Sequence, residues 1–120
     1  MALMTGQPEI DPALVRAAQR GDRIAVADLM DALAPYVGRV CGPIALQDGP
    51  DAAQEALIAI LKNLGGLREP GAIYGWARAI AVREAVRVAR KAARAVDRAL
   101  FRRRSRTRDL AFTRMASGPR

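Results

Sequence analysis

The sequence predicts an all-α fold, a compact bundle of about four helices followed by a basic C-terminal arm. Three observations carry this. Hydrophobic residues make up 51% of the chain but aromatics only 4%, so the core draws on small aliphatics that suit helices better than strands. Apolar residues recur at three- and four-residue intervals instead of alternating. Gly, Pro and Asp gather where that periodicity breaks, which is where helix caps belong.

Asp11-Pro12 starts a short first helix, with Leu14, Val15 and Ala18 near one face and Gly21 as its stop. Asp22 caps the second helix at once. Val26, Leu29, Met30, Leu33, Tyr36, Val37 and Val40 form its expected buried stripe. An interior proline costs about 3 kcal/mol, yet the stripe runs on past Pro35, so one long helix kinked there is expected. Gly42-Pro43 ends or bends it. Cys41 reads as a small core residue, not a reactive thiol.

The third helix is expected from Asp48-Gly49-Pro50-Asp51 to Leu64. Ala53, Leu57, Ile60, Leu61 and Leu64 share its expected core side, and Asp51, Gln54, Glu55, Ile58 and Lys62 fall opposite. Ile58 stands alone in that polar face. It is either an ordinary exposed apolar residue or the apolar centre of a docking patch with a polar rim. Gly65-Gly66 stops the helix, and Leu67 to Gly71 forms a loop.

A fourth helix runs from about Ala72 to at least Arg90. Trp76, Ile80, Arg83, Arg87 and Arg90 lie in one narrow stripe, offering stacking at one end and phosphate contacts along the rest. Trp76 has a second reading, as a core anchor. Helical composition continues to Phe101, after which Arg102, Arg103, Arg104, Arg106 and Arg108 predict a flexible arm. The expected layout is therefore a disordered leader over 1–11, a helical domain over 12–95 and a basic linker or tail over 96–120.

Charge divides the chain sharply. Residues 1–82 hold seven Lys/Arg and nine Asp/Glu, a net of −2, whereas residues 83–120 hold thirteen and three, a net of +10. Such a body with such an end suits a polyanionic partner, most simply nucleic acid; a solvated disordered tail is the plainer alternative. No apolar run approaches the ~20 residues of a membrane span, and MALMTGQPEI lacks the layout of a signal peptide. A cytoplasmic protein with no membrane partner is the expectation. One cysteine and no histidine argue against a disulfide framework, a metal site and His-dependent catalysis. Asp48, Asp51 and Glu55 could be imagined as a metal cluster, but the preference of helix starts for acids explains the first two more simply. No catalytic residue and no cofactor are expected.

The ordered set LVRAAQRGDRIAVADLM, LAPYVGRV, DAAQEALIAILKNL, a glycine-rich loop and GWARAIAVREAVRVARK resembles conserved region two of bacterial sigma factors. It is most similar to the extracytoplasmic-function group, over roughly residues 12–91. The resemblance implies docking on the clamp helices of the RNA polymerase β′ subunit through Asp51, Gln54 and Glu55, which lie on the polar face already isolated by the periodicity, with Ile58 between them as a candidate docking residue. It further implies opening of the −10 promoter element and capture of its non-template strand. Arg68 and Glu69 of the loop would meet a flipped base, and Tyr74, Trp76, Arg78, Arg83, Arg87, Arg90 and Lys91 would stack or contact phosphates. N–H groups near Ala72 would add a phosphate site. An anti-sigma factor covering the docking face is a further implied partner.

The sequence departs from the family at Ala56, Leu57, Ala59 and Leu61, where larger aromatic or basic residues are common, and at Ala77, Ala79 and Arg83. Nothing after Lys91 supplies the family's second helix-turn-helix domain. The competing reading is a general basic helical nucleic-acid-binding protein that does not dock on polymerase.

Overall fold

Among the described residues four α-helices account for most of the chain, α2 to α4 being joined by short 3-10 turns. The computed structural model describes residues 7–116, with side chains through Arg106. Helix α1 spans Pro12–Gln19, α2 Arg23–Ala45, α3 Gly49–Lys62 and α4 Ile73–Ala116. Among the described residues there is no strand, and no helix is long and apolar enough to cross a membrane. The chain forms two compact units, Met1–Ala89 and Arg90–Arg120. The fold is all-α, as the periodicity predicts.

Helix α1 is capped at its start by Asp11, and the α1–α2 corner is made by the adjacent pair Gly21 and Asp22. Asp11 Oδ1 accepts the Ala13 N–H at 2.8 Å and starts α1. At its end Gly21 takes φ +89°, which a side chain would resist. Its N–H donates to Ala18 O and the Asp22 N–H to Ala17 O, the paired bonds of a Schellman stop. Asp22 then accepts from Ile24 N and Ala25 N, so one residue closes α1 and opens α2.

Helix α2 runs unbroken through both Pro35 and Pro43. Gly42-Pro43 does not end it. Each proline removes one ladder bond, but both lie exposed, so water can satisfy the freed carbonyls. The opposite side is buried throughout: Ala25, Leu29, Leu33, Val37, Cys41 and Ala45. Val26, Met30, Tyr36 and Val40, expected in the stripe, flank it half-buried. The Cys41 thiol is buried, donates weakly to Ala81 O at 3.7 Å, and is pushed up in pKa by desolvation. It is a core residue.

The first unit's core is unusually poor in large side chains. Alanines 18, 25, 45, 52, 56, 77, 81 and 85 are all buried, so neighbouring helices can approach closely. This rotates α3 by roughly a quarter turn from the expected setting. Ala52, Ala56 and Ile60 face the core, while Ala53 and Leu57 are half-buried and Leu61 is 44% exposed. Leu57 and Leu61 were the natural choice by hydrophobicity, but the packing selects the smaller alanines. The helix also ends at Lys62, and Leu64 is buried in a following 3-10 turn, Leu64–Gly66.

Two expectations about the ends change. Residues 1–6 of the expected disordered leader lie outside the described residues, but within residues 7–11 Ile10 joins the core and Pro8 O accepts from the Tyr74 hydroxyl. The arm expected to lose structure after Phe101 is helical through Ala116; arginine is a good helix former and its long side chain keeps the charge in water. The linker expected over 96–120 is thus helical as far as it is described.

Leu46, which closes α2, has φ 55° and ψ −116°, a conformation that disfavours any Cβ-bearing residue. It is 74% exposed and loses little packing if truncated. Leu46→Gly should therefore raise unfolding stability by about 1 kcal/mol in urea denaturation; a lower midpoint would mean the side chain has contacts that outweigh the strain.

Candidate nucleic-acid and partner interface

Helix α3 presents three separate sides. Ala52, Ala56 and Ile60 point into the core. Ala59, followed by Asn63 just past the helix, lines a groove shared with α4. The third side carries Asp51, Gln54, Ile58, Leu61 and Lys62, all exposed. Spacings of three and four residues place these side chains in one strip. Ile58 is 42% exposed and is not alone, because the rotation of α3 brings Leu61 out beside it. The sequence pattern missed Leu61 by assigning it to the core.

Glu55 behaves differently from the other three expected docking residues. It is half-buried, at the edge of α3 that faces α4, and its Oε2 accepts from Arg87 Nη2 at 3.4 Å. Arg87 Nε also donates to Glu84 at 2.9 Å. The hydrogen bond Arg87 donates to Glu84, and then the Glu84 charge, raise the pKa of the Arg87 guanidinium, with a smaller contribution from Glu55. Exposed pairs of this kind add little stability, but they fix where both charges sit. Asp51, Gln54 and Ile58 share the outward strip; Glu55 and Arg87 are engaged with each other.

The α3–α4 groove has a volume of about 390 Å³ and is lined by Ala59, Asn63, Gly66, Trp76, Ala79, Ile80, Arg83 and Glu84. Of the expected stripe on α4, Ile80 is buried, Trp76 half-buried and Arg83 exposed. Trp76 therefore combines its two readings: part of it packs on the core cluster, and part lines the open groove. The groove lining includes Gly66, where the post-α3 turn passes. Asn63 Nδ2 donates to Ala59 O at 2.8 Å, which holds the amide at the groove edge.

Gln19 anchors the turn, and sequence reasoning did not single it out. Its Nε2 donates to Leu64 O at 3.0 Å and to Leu67 O at 2.7 Å, tying α1 to the segment that reaches the groove. No local pattern in the sequence signals this; only the spatial return of residues 64–67 to α1 reveals it. Arg68 and Glu69 are both exposed. Glu69 Oε1 accepts from Gly71 N at 3.4 Å and its carbonyl from Ala72 N, capping the Pro70–Ala72 turn that precedes α4. The phosphate site expected near Ala72 is thus headed by a carboxylate, which repels a phosphate.

Tyr74 is also committed internally. Its ring meets Tyr36 edge-on at 5.0 Å and its hydroxyl donates to Pro8 O. Burial raises its pKa, Arg39 lowers it and Tyr36 adds a smaller upward push. Arg78 is exposed on the first unit. Arg90 and Lys91 are exposed and belong to the second unit. The groove therefore gathers Trp76 and Arg83 from the expected set, and leaves Arg68, Glu69, Tyr74, Arg78 and Arg87 outside its lining. Among the described residues no His, Cys, Asp or Glu group is placed to hold a metal ion.

No family model, curated protein or solved structure matches the chain.

Removing the Gln19 amide leaves two carbonyls without their donor, a loss of about 1–3 kcal/mol. Gln19→Ala should lower stability by that amount in urea and speed amide hydrogen exchange at Leu67. Unchanged exchange would show that residues 64–67 hold their place without α1.

Proposed function

We propose that the first unit is a sigma-type promoter-opening domain, which docks on the β′ clamp helices of bacterial RNA polymerase and holds the non-template strand of the −10 element. It binds and performs no chemistry. The observation that carries this reading is the division of α3 into an outward apolar strip with a polar rim and an inward edge that builds a groove with Trp76. A protein partner is served by the first and a single nucleic-acid strand by the second.

On the strip, Ile58 and Leu61 form the apolar centre, with Asp51, Gln54 and Lys62 around them. That is the make-up of a protein-docking patch. In the groove, the half-exposed Trp76 face supports stacking on an unpaired base and Arg83 supports a phosphate contact. Asn63 offers an amide for a base edge. The Gly66 turn sits next to these groups, as a loop that meets a flipped base must. Glu55 enters this reading as a positioning residue through Arg87, not as a direct docking group. An anti-sigma factor that masks the strip would compete with polymerase for Ile58 and Leu61.

The two surfaces can be separated. The double variant Ile58→Asp, Leu61→Asp should weaken core polymerase binding by roughly 30-fold, the scale of losing a central apolar pair, while single-stranded −10 DNA binding persists. Trp76→Ala should do the reverse, at a cost of about 1–3 kcal/mol in strand binding. Undiminished polymerase capture by the double variant would overturn the docking assignment. A wild type that captures no polymerase and binds duplex and single strand equally would favour the general nucleic-acid binder.

A further inference from the structure

The second unit has a regularity that neither surface of the first unit uses. Arg90, Arg94, Arg98, Arg102 and Arg106 stand at strict four-residue intervals on a continuous helix, and all five are exposed. Among the described residues none of them is paired with a carboxylate. Positions four apart on a helix form a ridge inclined to its axis. Successive arginines rise about 6 Å, and the row spans about 24 Å. Residues 90–106 hold eight Lys/Arg and only Asp97 as an acid, so no acidic partner on this segment neutralises the ridge.

We propose that this arginine ridge is a second nucleic-acid-binding element, which grips the phosphate backbone of duplex DNA independently of the Trp76 groove. Charge complementarity identifies a polyanion. Each four-residue step also turns about 40° around the helix, so the row sweeps about 160° and its two ends face nearly opposite sides; a helix seated in a duplex groove has phosphates at fixed positions on both walls, which a swept row of arginines can reach together. A single strand has no such fixed spacing. The B-form major groove admits an α-helix, whereas the deep, narrow major groove of duplex RNA does not. A membrane surface fits less well. The remaining side of the helix carries Ala92, Ala93, Val96, Ala99 and Leu100 but also Arg103 and Arg104, and the large Phe101, 70% exposed, lies apart from them. An interfacial helix needs a broad face of bulky apolar residues. Guanidinium contacts to phosphate carry no sequence information, so the ridge would hold DNA without choosing it.

The test uses the full chain and a variant with Arg94, Arg98, Arg102 and Arg106 each changed to Gln, which keeps helix propensity. Binding to a labelled random-sequence DNA duplex is followed by fluorescence anisotropy across a salt series, with helix content checked by circular dichroism. Removing four phosphate contacts should flatten the slope of log affinity against log salt by about 3 to 4 and weaken binding at least about tenfold near 0.1 M salt. Trp76→Ala should leave the slope unchanged, which keeps failure here distinct from failure of the groove assignment. An unaltered slope in the four-Gln variant overturns the proposal, as does loss of duplex binding in Trp76→Ala alone. Binding of the wild type to phosphatidylserine vesicles but not to duplex would overturn it in favour of a lipid surface.

Discussion

At the α2–α3 joint the backbones nearly touch: a Cβ on Gly49 would lie 3.2 Å from the Gly42 Cα. On the two helices that meet there, Cys41, Ala45, Ala52 and Ala56 are all buried. Larger residues would force the helices apart or turn α3 about its axis. Because the contact is made by the smallest side chains, α3 has one setting, and that setting decides which of its residues reach solvent. Ile58 and Leu61 are outside because Ala52 and Ala56 are inside. The same rotation brings Glu55 round to Arg87 and Ala59 to the rim of the Trp76 groove.

The second support comes from α1. Its Schellman stop and the Asp22 cap turn the chain back sharply, and Gln19 reaches across to the carbonyls of Leu64 and Leu67. The turn that follows α3 is therefore held by side-chain hydrogen bonds, not only by its own backbone. This gives the groove a fixed wall. A site that meets a single strand gains from such preorganisation, since less conformational freedom is lost on binding. Tyr74, bridging Tyr36 and Pro8 at the start of α4, ties the N-terminal segment and α2 to that helix.

Helix existence, the caps at Asp11, Gly21 and Asp22, and the burial of Cys41 are all legible in the sequence, because each depends on local chemistry. The setting of α3 is not. Hydrophobicity ranks leucine above alanine, so the pattern placed Leu57 and Leu61 inward, while close helix packing rewarded volume over transfer energy. Gln19 was invisible for a related reason: its partners lie 45 and 48 residues away. The arginine run after Phe101 suggested disorder from charge alone, yet helix propensity and solvated side chains sustain the helix through Ala116. Within the candidate site the outward strip was partly legible through Ile58; the groove was not, since it requires knowing how α3 and α4 meet.

The central claim is that the outward strip of α3 is a polymerase-docking surface. Site-specific photo-cross-linking tests it most directly, with a photoreactive phenylalanine replacing Ile58 in one protein and exposed Ile24 of α2 in another, each mixed with core RNA polymerase. The account predicts a cross-link from position 58 to the β′ subunit and none from position 24. A β′ cross-link from position 24 with nothing from position 58 would contradict it.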